Sequence, residues 1–214
     1  PAAVAAMTAS GGKVLEWARK VQAIAQNGLA FTHDPYDRER YTQLAELVVQ
    51  LLSAQLRIPA GAARGLWAGE QGYATPKVDV RGGVFHEDRV LLVRERTDGR
   101  WTLPGGWVDV NEAPSAAVAR EIHEESGYRA RAVKLAALFD KSRHPHPPGV
   151  YHIYKLFFLC ELTGGSPAAS TETDAVEFFP VHSLPPLSTG RVLGSQIERL
   201  YQHRLDPALP TDFD

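Results

Sequence analysis

Apolar positions in the first quarter of the chain recur in steps of three and four. Val14, Trp17, Ala18, Val21, Ile24 and Ala25 fall on one side of a helix over residues 14–30, with Asn27 and Gly28 as its stop. Tyr41, Leu44, Leu47, Val48, Leu51 and Leu52 repeat the pattern, and Asp37 is placed to cap that second helix. The connection over residues 32–36 is short, so the two helices pair as a hairpin. A helical unit over residues 14–56 is too small to bury a sufficient core alone and must dock elsewhere. Residues 57–76 are rich in Gly and Pro, the composition of a linker, with Trp67 as an anchor. Residues 1–13 and 206–214 read as tails, the first of them flexible.

From Lys77 the period changes. Residues 77–86 form a β-rich run, and residues 89–94 are its hairpin partner, with Glu87 and Asp88 at the turn. Further strands are predicted over 132–139, 150–162 and 175–181. The second of these runs (151–160, YHIYKLFFLC) becomes apolar on both faces, as a covered central strand does. A last helix over 191–203 places Leu193, Ile197, Leu200 and Tyr201 on one side. No internal repeat is present. This order predicts a domain over residues 77–205 of the α/β (α+β) class, a mixed sheet between helices.

Composition narrows the function. With 44% hydrophobic and 22% charged residues the chain has the make-up of a folded globular protein. A net charge of -2 provides no general field for nucleic acid or an anionic membrane, so any anion must be met by a local site. No apolar run reaches membrane-spanning length, and the start lacks the basic and apolar regions of a signal peptide. The single cysteine, Cys160, rules out an intramolecular disulfide and fits a reducing cytoplasm.

Candidate chemistry is concentrated in residues 105–128. A helix over 114–126 is bounded by Pro114, tolerated in a first turn, and Gly127, suited to a C-terminal cap. At about 100° per residue, Glu121, Glu124 and Glu125 share one face within about 100°. Val118, Ala119 and Ile122 lie beside that face and can pack on a sheet. Like charges so spaced destabilise a helix, and a bound divalent cation offsets the repulsion. Mg²⁺ takes oxygen ligands and is commonly held by a few carboxylates together with substrate phosphates. Arg120 can fork to Glu112 or Glu121 and hold it in one rotamer. Gly105 and Gly106 after Pro104 permit a tight bend in which a backbone carbonyl faces the metal. The bland alternative is a solvated acidic helix face.

The whole segment resembles the Nudix box, G-x5-E-x7-R-E-U-x-E-E-x-G-U, where U is a bulky aliphatic residue. Gly106, Glu112, Arg120, Glu121, Ile122, Glu124, Glu125 and Gly127 match at the family's spacing, and Tyr128 departs from the final aliphatic position. Each fixed identity arises by chance at roughly 7%, which makes their joint occurrence by accident improbable. The resemblance implies an α/β/α sandwich. It also implies Mg²⁺ or Mn²⁺ bound by Glu121, Glu124, Glu125 and the Gly105 carbonyl, with Arg120 and Glu112 bracing the site, and attack of an activated water at phosphorus.

Outside the box, Arg81, Arg94 and Arg96 are candidates for phosphate contacts. Arg143, His144 and Tyr151, on a Pro-stiffened loop, are candidates for substrate contacts. His144 and His146 lack a third ligand at zinc spacing. Glu177, and after it Glu172, is the candidate acid for water activation. More widely, the segments WARKVQAIAQNG (17–28), DPYDRERY (34–41), TPKVDVR (75–81), HPHPP (144–148) and YHIYKLFF (151–158) resemble bacterial CDP-choline pyrophosphatases, often labelled ADP-ribose pyrophosphatases. That resemblance implies a nucleoside diphosphate derivative as substrate, CDP-choline first and ADP-ribose second. It implies a homodimer built through the N-terminal helices. Two other readings are a (deoxy)nucleoside triphosphate pyrophosphohydrolase and a Nudix module that senses a ligand without cutting it. Sensor modules tend to lose box glutamates, and all are kept here. Without a basic recognition helix, no stable nucleic-acid partner is expected.

Overall fold

A computed structural model describes residues 12–214 with their side chains. The tail expected over residues 1–13 lies almost wholly outside them. The chain divides into two compact units.

The first unit comprises Pro1–Pro76 and the segment Pro148–His152. It contains α1 (Ala2–Phe31), α2 (Pro35–Leu56) and α3 (Ala60–Gly65). Gly28 does not stop α1. It lies where the Tyr41 ring of α2 crosses, and a Cβ there would sit 2.5 Å from that ring. The residue serves close helix packing. Likewise α2 begins before Asp37. Asp34 is its cap, accepting from the Tyr36 and Asp37 N–H groups at 2.8 and 2.9 Å, and Pro35 occupies the first turn. Leu15, Ala18, Val48, Val49, Leu52 and Ala63 form this unit's core, with Trp67 packed against it. Residues 57–76, expected as a linker, therefore contain a helix whose Ala63 is fully buried. The Tyr151 hydroxyl donates to the Leu66 carbonyl at 2.7 Å. Trp17, Ile24, Phe31, Leu47 and Leu51 are exposed, so the hairpin carries apolar surface beyond what its own core uses.

The second unit comprises Lys77–Pro147 and Ile153–Asp214. Its strands are β1 (Lys77–His86), β2 (Arg89–Glu95), β3 (Trp101–Thr102), β4 (Tyr128–Asp140), β5 (Ile153–Gly165), β6 (Thr173–Pro180) and β7 (Asp212–Phe213). Its helices are α4 (Pro114–Ser126) and α5 (Gly194–Leu205), with a 3-10 turn at Lys141–Arg143. The sheet order is β3-β2-β1-β5-β4-β7, and β6 pairs with β2. The β1·β5 and β4·β7 pairs are parallel and the rest antiparallel, a mixed sheet with β5 covered at its centre. On one face Ala117, Val118 and Ile122 of α4 pack with Val80, Val84, Leu91 and Phe158. On the other, Ile197 and Leu200 of α5 pack with Val90, Leu92, Phe157 and Leu159. The result is an α/β/α sandwich.

Two elements differ from expectation, and the first of them shapes the site. The β1–β2 hairpin pairs only at Phe85 with Val90 and His86 with Arg89; the same edge of β2 goes on to pair with β3 at Val93 and Arg94, while β6 takes its other edge. The edge of β1 thus left over accepts residues 104–108. Val80 N–H donates to the Gly106 carbonyl and Gly82 N–H to the Pro104 carbonyl, both at 2.9 Å, and Val108 N–H donates to the Val78 carbonyl at 3.1 Å. The stretch 206–214, expected as a tail, ends in β7, where Asp212 accepts from Arg199 and pairs with His203. Among the described residues, no helix is long and apolar enough to cross a membrane.

Candidate active site

The strapped segment and α4 together wall a cleft of about 560 Å³. The segment contributes Gly105, Gly106, Trp107 and Asp109; α4 contributes Arg120, Glu121, Glu124 and Glu125. Strands supply Asp79, Arg81, Glu95, Ile153 and Lys155, and connecting segments supply Lys141, Glu172, Gly190 and Arg191. Pro114 and Gly127 bound α4 as their chemistry predicts: Gly127 has φ 74°, and its N–H reaches the His123 carbonyl. The helix can approach the sheet because β1 has glycine at 82, where a Cβ would lie 2.7 Å from Ile122.

The three glutamates differ in environment. Glu125 is only 4% exposed and accepts the Gly105 N–H at 2.8 Å. Burial pushes its carboxyl up to about 8, against the opposing pull of Arg81 and the Gly105 N–H, and Glu121 adds to the rise. Burial also raises Glu121, with Arg120 opposing. Glu124 is exposed. Arg120 makes the fork expected of it and more. Its Nε and Nη2 reach Glu112 at 2.9 Å each, while Nη1 reaches Glu121 at 3.0 Å and Glu124 at 2.9 Å. That bonding holds Glu112 below the usual carboxylate range. With Arg120 gathering Glu121 and Glu124 and with Glu125 turned to Gly105, no three His, Cys, Asp or Glu side chains among the described residues are set around one metal position as they stand.

Both glycines of the bend are required, for separate reasons. Gly105 has φ 146°, and a Cβ there would lie 2.0 Å from the Val80 carbonyl oxygen. At Gly106 a Cβ would meet the Glu121 carboxylate at 2.7 Å. The carbonyls of Pro104 and Gly106 are taken by β1, and that of Gly105 between them is not.

Of the charged floor of the cleft, sequence reasoning named Arg81 but not Asp79 or Lys155. Asp79 and Lys155 are register partners across β1 and β5. Asp79 accepts from Arg81 at 3.1 and 2.7 Å and from the Lys155 ammonium, and Arg81 also donates to the Leu103 carbonyl at 3.2 Å. Burial works against the Asp79 charge, but Arg81 and then Lys155 outweigh it and hold the carboxyl low. Lys155 is pushed down to about 7, first by burial and then by Arg81, with Asp79 opposing. Beside this trio, Glu95 pairs with Arg191 at 2.9 Å. A signal for these residues did exist. Asp79 and Arg81 stand two apart on one strand, hence on one face, and Lys155 interrupts an apolar run in which lysine is almost never buried unpaired.

Residues 76–199 match the NUDIX domain model, and residues 12–67 match a model described as a UDP-X-like, N-terminal oligomerisation domain. The chain belongs to the Nudix hydrolases. YjhB of Bacillus subtilis (strain 168), provisionally named an ADP-ribose pyrophosphatase, is 45% identical over 94% of this chain and 97% of its own. The solved structure of a UDP-X diphosphatase is 31% identical, with a TM-score of 0.62, covering 95% of this chain and 99% of that one. An ADP-ribose pyrophosphatase structure from Streptococcus suis 89-1591 is 38% identical, with a TM-score of 0.61, over 65% of this chain and all of that one (100%).

In this Nudix hydrolase several expected substrate contacts lie away from the cleft. Arg94 pairs with Asp174 at 2.7 Å, and Arg96 donates to the Ser170 carbonyl. Arg143 is exposed outside the lining, and His144 bonds Asp214 at 3.1 Å while its ring lies against Phe139. His146 contacts the Thr189 carbonyl and Gln196. Tyr151 belongs to the first unit. Glu177 is exposed on β6 opposite Leu92 and does not line the cleft, whereas Glu172 does. Of the three early arginines only Arg81 lines it.

Proposed function

We propose that this Nudix hydrolase cleaves the phosphoanhydride bond of a nucleoside diphosphate derivative, giving a nucleoside monophosphate and a phosphorylated second group, with Mg²⁺ held by Glu121, Glu124, Glu125 and the Gly105 carbonyl. One observation carries the reading. A buried and a half-buried carboxylate, both with raised proton affinity, and a third, exposed one share a wall of a cleft whose volume falls within the range of small-ligand sites. An all-oxygen donor set of this charge fits Mg²⁺, or Mn²⁺, and does not depend on nitrogen or sulfur ligands. Bound there, the cation neutralises the diphosphate oxygens and acidifies a water. Arg120 holds Glu112, Glu121 and Glu124 in fixed rotamers while the glutamates remain charged. Glu172, the acid that lines the cleft, is the residue to test for water activation in place of Glu177.

The relatives named for ADP-ribose and for UDP-X support the diphosphate-diester class, and CDP-choline shares that chemistry. Assay of ADP-ribose, CDP-choline, UDP-sugars and nucleoside triphosphates side by side with Mg²⁺, products read by ³¹P NMR, tests the reading. Turnover of at least one diester to a monophosphate is expected, falling about 100- to 1000-fold in Glu125→Gln. Preference for triphosphates overturns the substrate class. Tight binding without turnover supports the sensor alternative.

The exposed Trp17, Ile24, Phe31 and Leu47, in a segment matching an oligomerisation domain, support a homodimer through the N-terminal helices. Trp17→Glu is expected to shift the chain from dimer to monomer by light scattering; a parent chain already monomeric at micromolar concentration refutes the assembly.

A further inference from the structure

The floor of the cleft sets two basic side chains, Arg81 and Lys155, against one shared carboxylate, Asp79. Asp79 accepts two bonds from Arg81 and one from Lys155, and the three side chains are 8%, 5% and 2% exposed respectively. Two cations share one anion. The Arg81 charge is further supported by Glu125 and Glu95. Among the described residues, Asp79 is the carboxylate that bonds Lys155. The groups acting on it are Asp79 and Arg81 from β1 and Lys141 from the 3-10 turn, and His146 on the following loop feels its charge in turn. A buried ammonium that must share its counter-ion is costly. This one lines an open cleft, where an arriving anion can repay that cost.

We propose that Lys155 is the ammonium that receives the diphosphate of the substrate, held in place by Asp79 while Arg81 balances the Asp79 charge. The assignment rests on the nucleoside diphosphate reading above and adds to it a second, metal-independent point of attraction. Such a point is needed. The glutamate wall repels a dianionic diester, and a lysine fixed on the central strand draws it in without regard to the group beyond the second phosphate. An ammonium is a compact charge with no planar fork to match, so it sets little demand on the group beyond the second phosphate.

Because burial already lowers the proton affinity of Lys155, anion binding near neutrality draws a proton onto it, and affinity falls as pH rises through about 7. The probe is the methylene-bridged analogue of ADP-ribose, which cannot be hydrolysed and whose phosphates do not titrate near neutrality. Calorimetry on the full chain from pH 6 to 9, at saturating Mg²⁺ so that Glu121 and Glu125 stay ionised, reads affinity and proton uptake. Parent protein is expected to take up a proton on binding. Lys155→Met preserves the stem and leaves Asp79 with Arg81. It is expected to weaken binding about 10- to 100-fold at pH 6.5, to abolish proton uptake and to leave Mg²⁺ affinity unchanged.

Unchanged affinity and proton uptake in Lys155→Met overturn the proposal, as does parallel loss of Mg²⁺ affinity, which marks a structural role. If the variant does not fold, the parent decides: binding without proton uptake overturns it. Lys155-dependent binding with no turnover of any diester removes the assigned reaction and leaves this site. Turnover with Lys155-independent binding does the reverse, and absence of analogue binding to the parent removes both.

Discussion

Glu125 provides a prediction with a worked magnitude. Its carboxyl titrates at about 8, against 4.5 for the free side chain, chiefly because burial penalises the charged form. The folded protein therefore holds this proton more tightly than the unfolded chain does. The sign follows: the stability contributed by the group is fully present below pH 4.5 and is lost as pH rises through about 8. From 4.5 to 7 is two and a half pH units at about 1.4 kcal/mol each, so the metal-free fold at pH 7 carries a penalty of about 3 kcal/mol. In a chain of this size that corresponds to roughly 6–12 °C in Tm. A cation bound at Glu125 offsets the penalty, because it binds the folded state and not the unfolded one.

Glu125→Gln retains the shape and an oxygen to accept the Gly105 N–H, but cannot ionise. Scanning calorimetry of parent and variant from pH 5 to 8, in chelator and in saturating Mg²⁺, separates the effects. In chelator the parent should fall progressively behind the variant, the gap reaching about 6–12 °C near pH 7. Mg²⁺ should raise the parent and leave the variant nearly where it was. A gap in chelator that does not vary with pH refutes the burial argument, and equal stabilisation of both proteins by Mg²⁺ refutes the placing of the cation.

Four other substitutions probe the supporting structure. Arg120→Lys loses the fork to Glu112 and the bridges to Glu121 and Glu124, and Mg²⁺ affinity measured by calorimetry should fall about 10- to 100-fold with the fold intact. The two glycines of the bend should fail differently. Gly105→Ala meets backbone at positive φ and should cost more than about 3 kcal/mol in chemical denaturation, whereas Gly106→Ala displaces the Glu121 side chain and should lower kcat/KM about 10- to 100-fold at nearly unchanged Tm. Asp212→Asn tests the docking of β7. The Arg199 bond, aided by His203 and opposed by burial, holds the Asp212 carboxyl near 2, so its contribution is present above pH 3.8 and lost as pH falls through about 2. At pH 7 the substitution should cost about 1–2 kcal/mol by urea melts, a difference that shrinks in acid.

What could be read from the chain follows from how far apart the deciding contacts lie. Helix α4 was legible because its signals are all local: Pro114 in its first turn, Gly127 after its last, and three glutamates at helical spacing. The helical errors arose where a local signal had a tertiary use. Gly28 reads as a stop, yet it accommodates the Tyr41 ring; Asp37 reads as a cap, yet the helix begins at Pro35 with Asp34 as its cap. Strand partners were harder. The alternation in β1 is the same whichever edge pairs, and nothing in it shows that β5 takes one edge and the box segment the other.

The same distinction divides the site. The glutamate wall comes from one continuous segment, and spacing alone brings its carboxylates together. The cationic floor exists only because parallel register sets Asp79 beside Lys155, 76 residues apart. Arg94 and Arg96, as basic as Arg81 and close to it in sequence, are instead tied to Asp174 and Ser170 outside the cleft. Reaction class is therefore readable from a contiguous motif, while substrate preference depends on strand register and connecting segments. For that reason the box glutamates could be named from the sequence, whereas four of the five arginine and histidine candidates for substrate contact do not line the cleft.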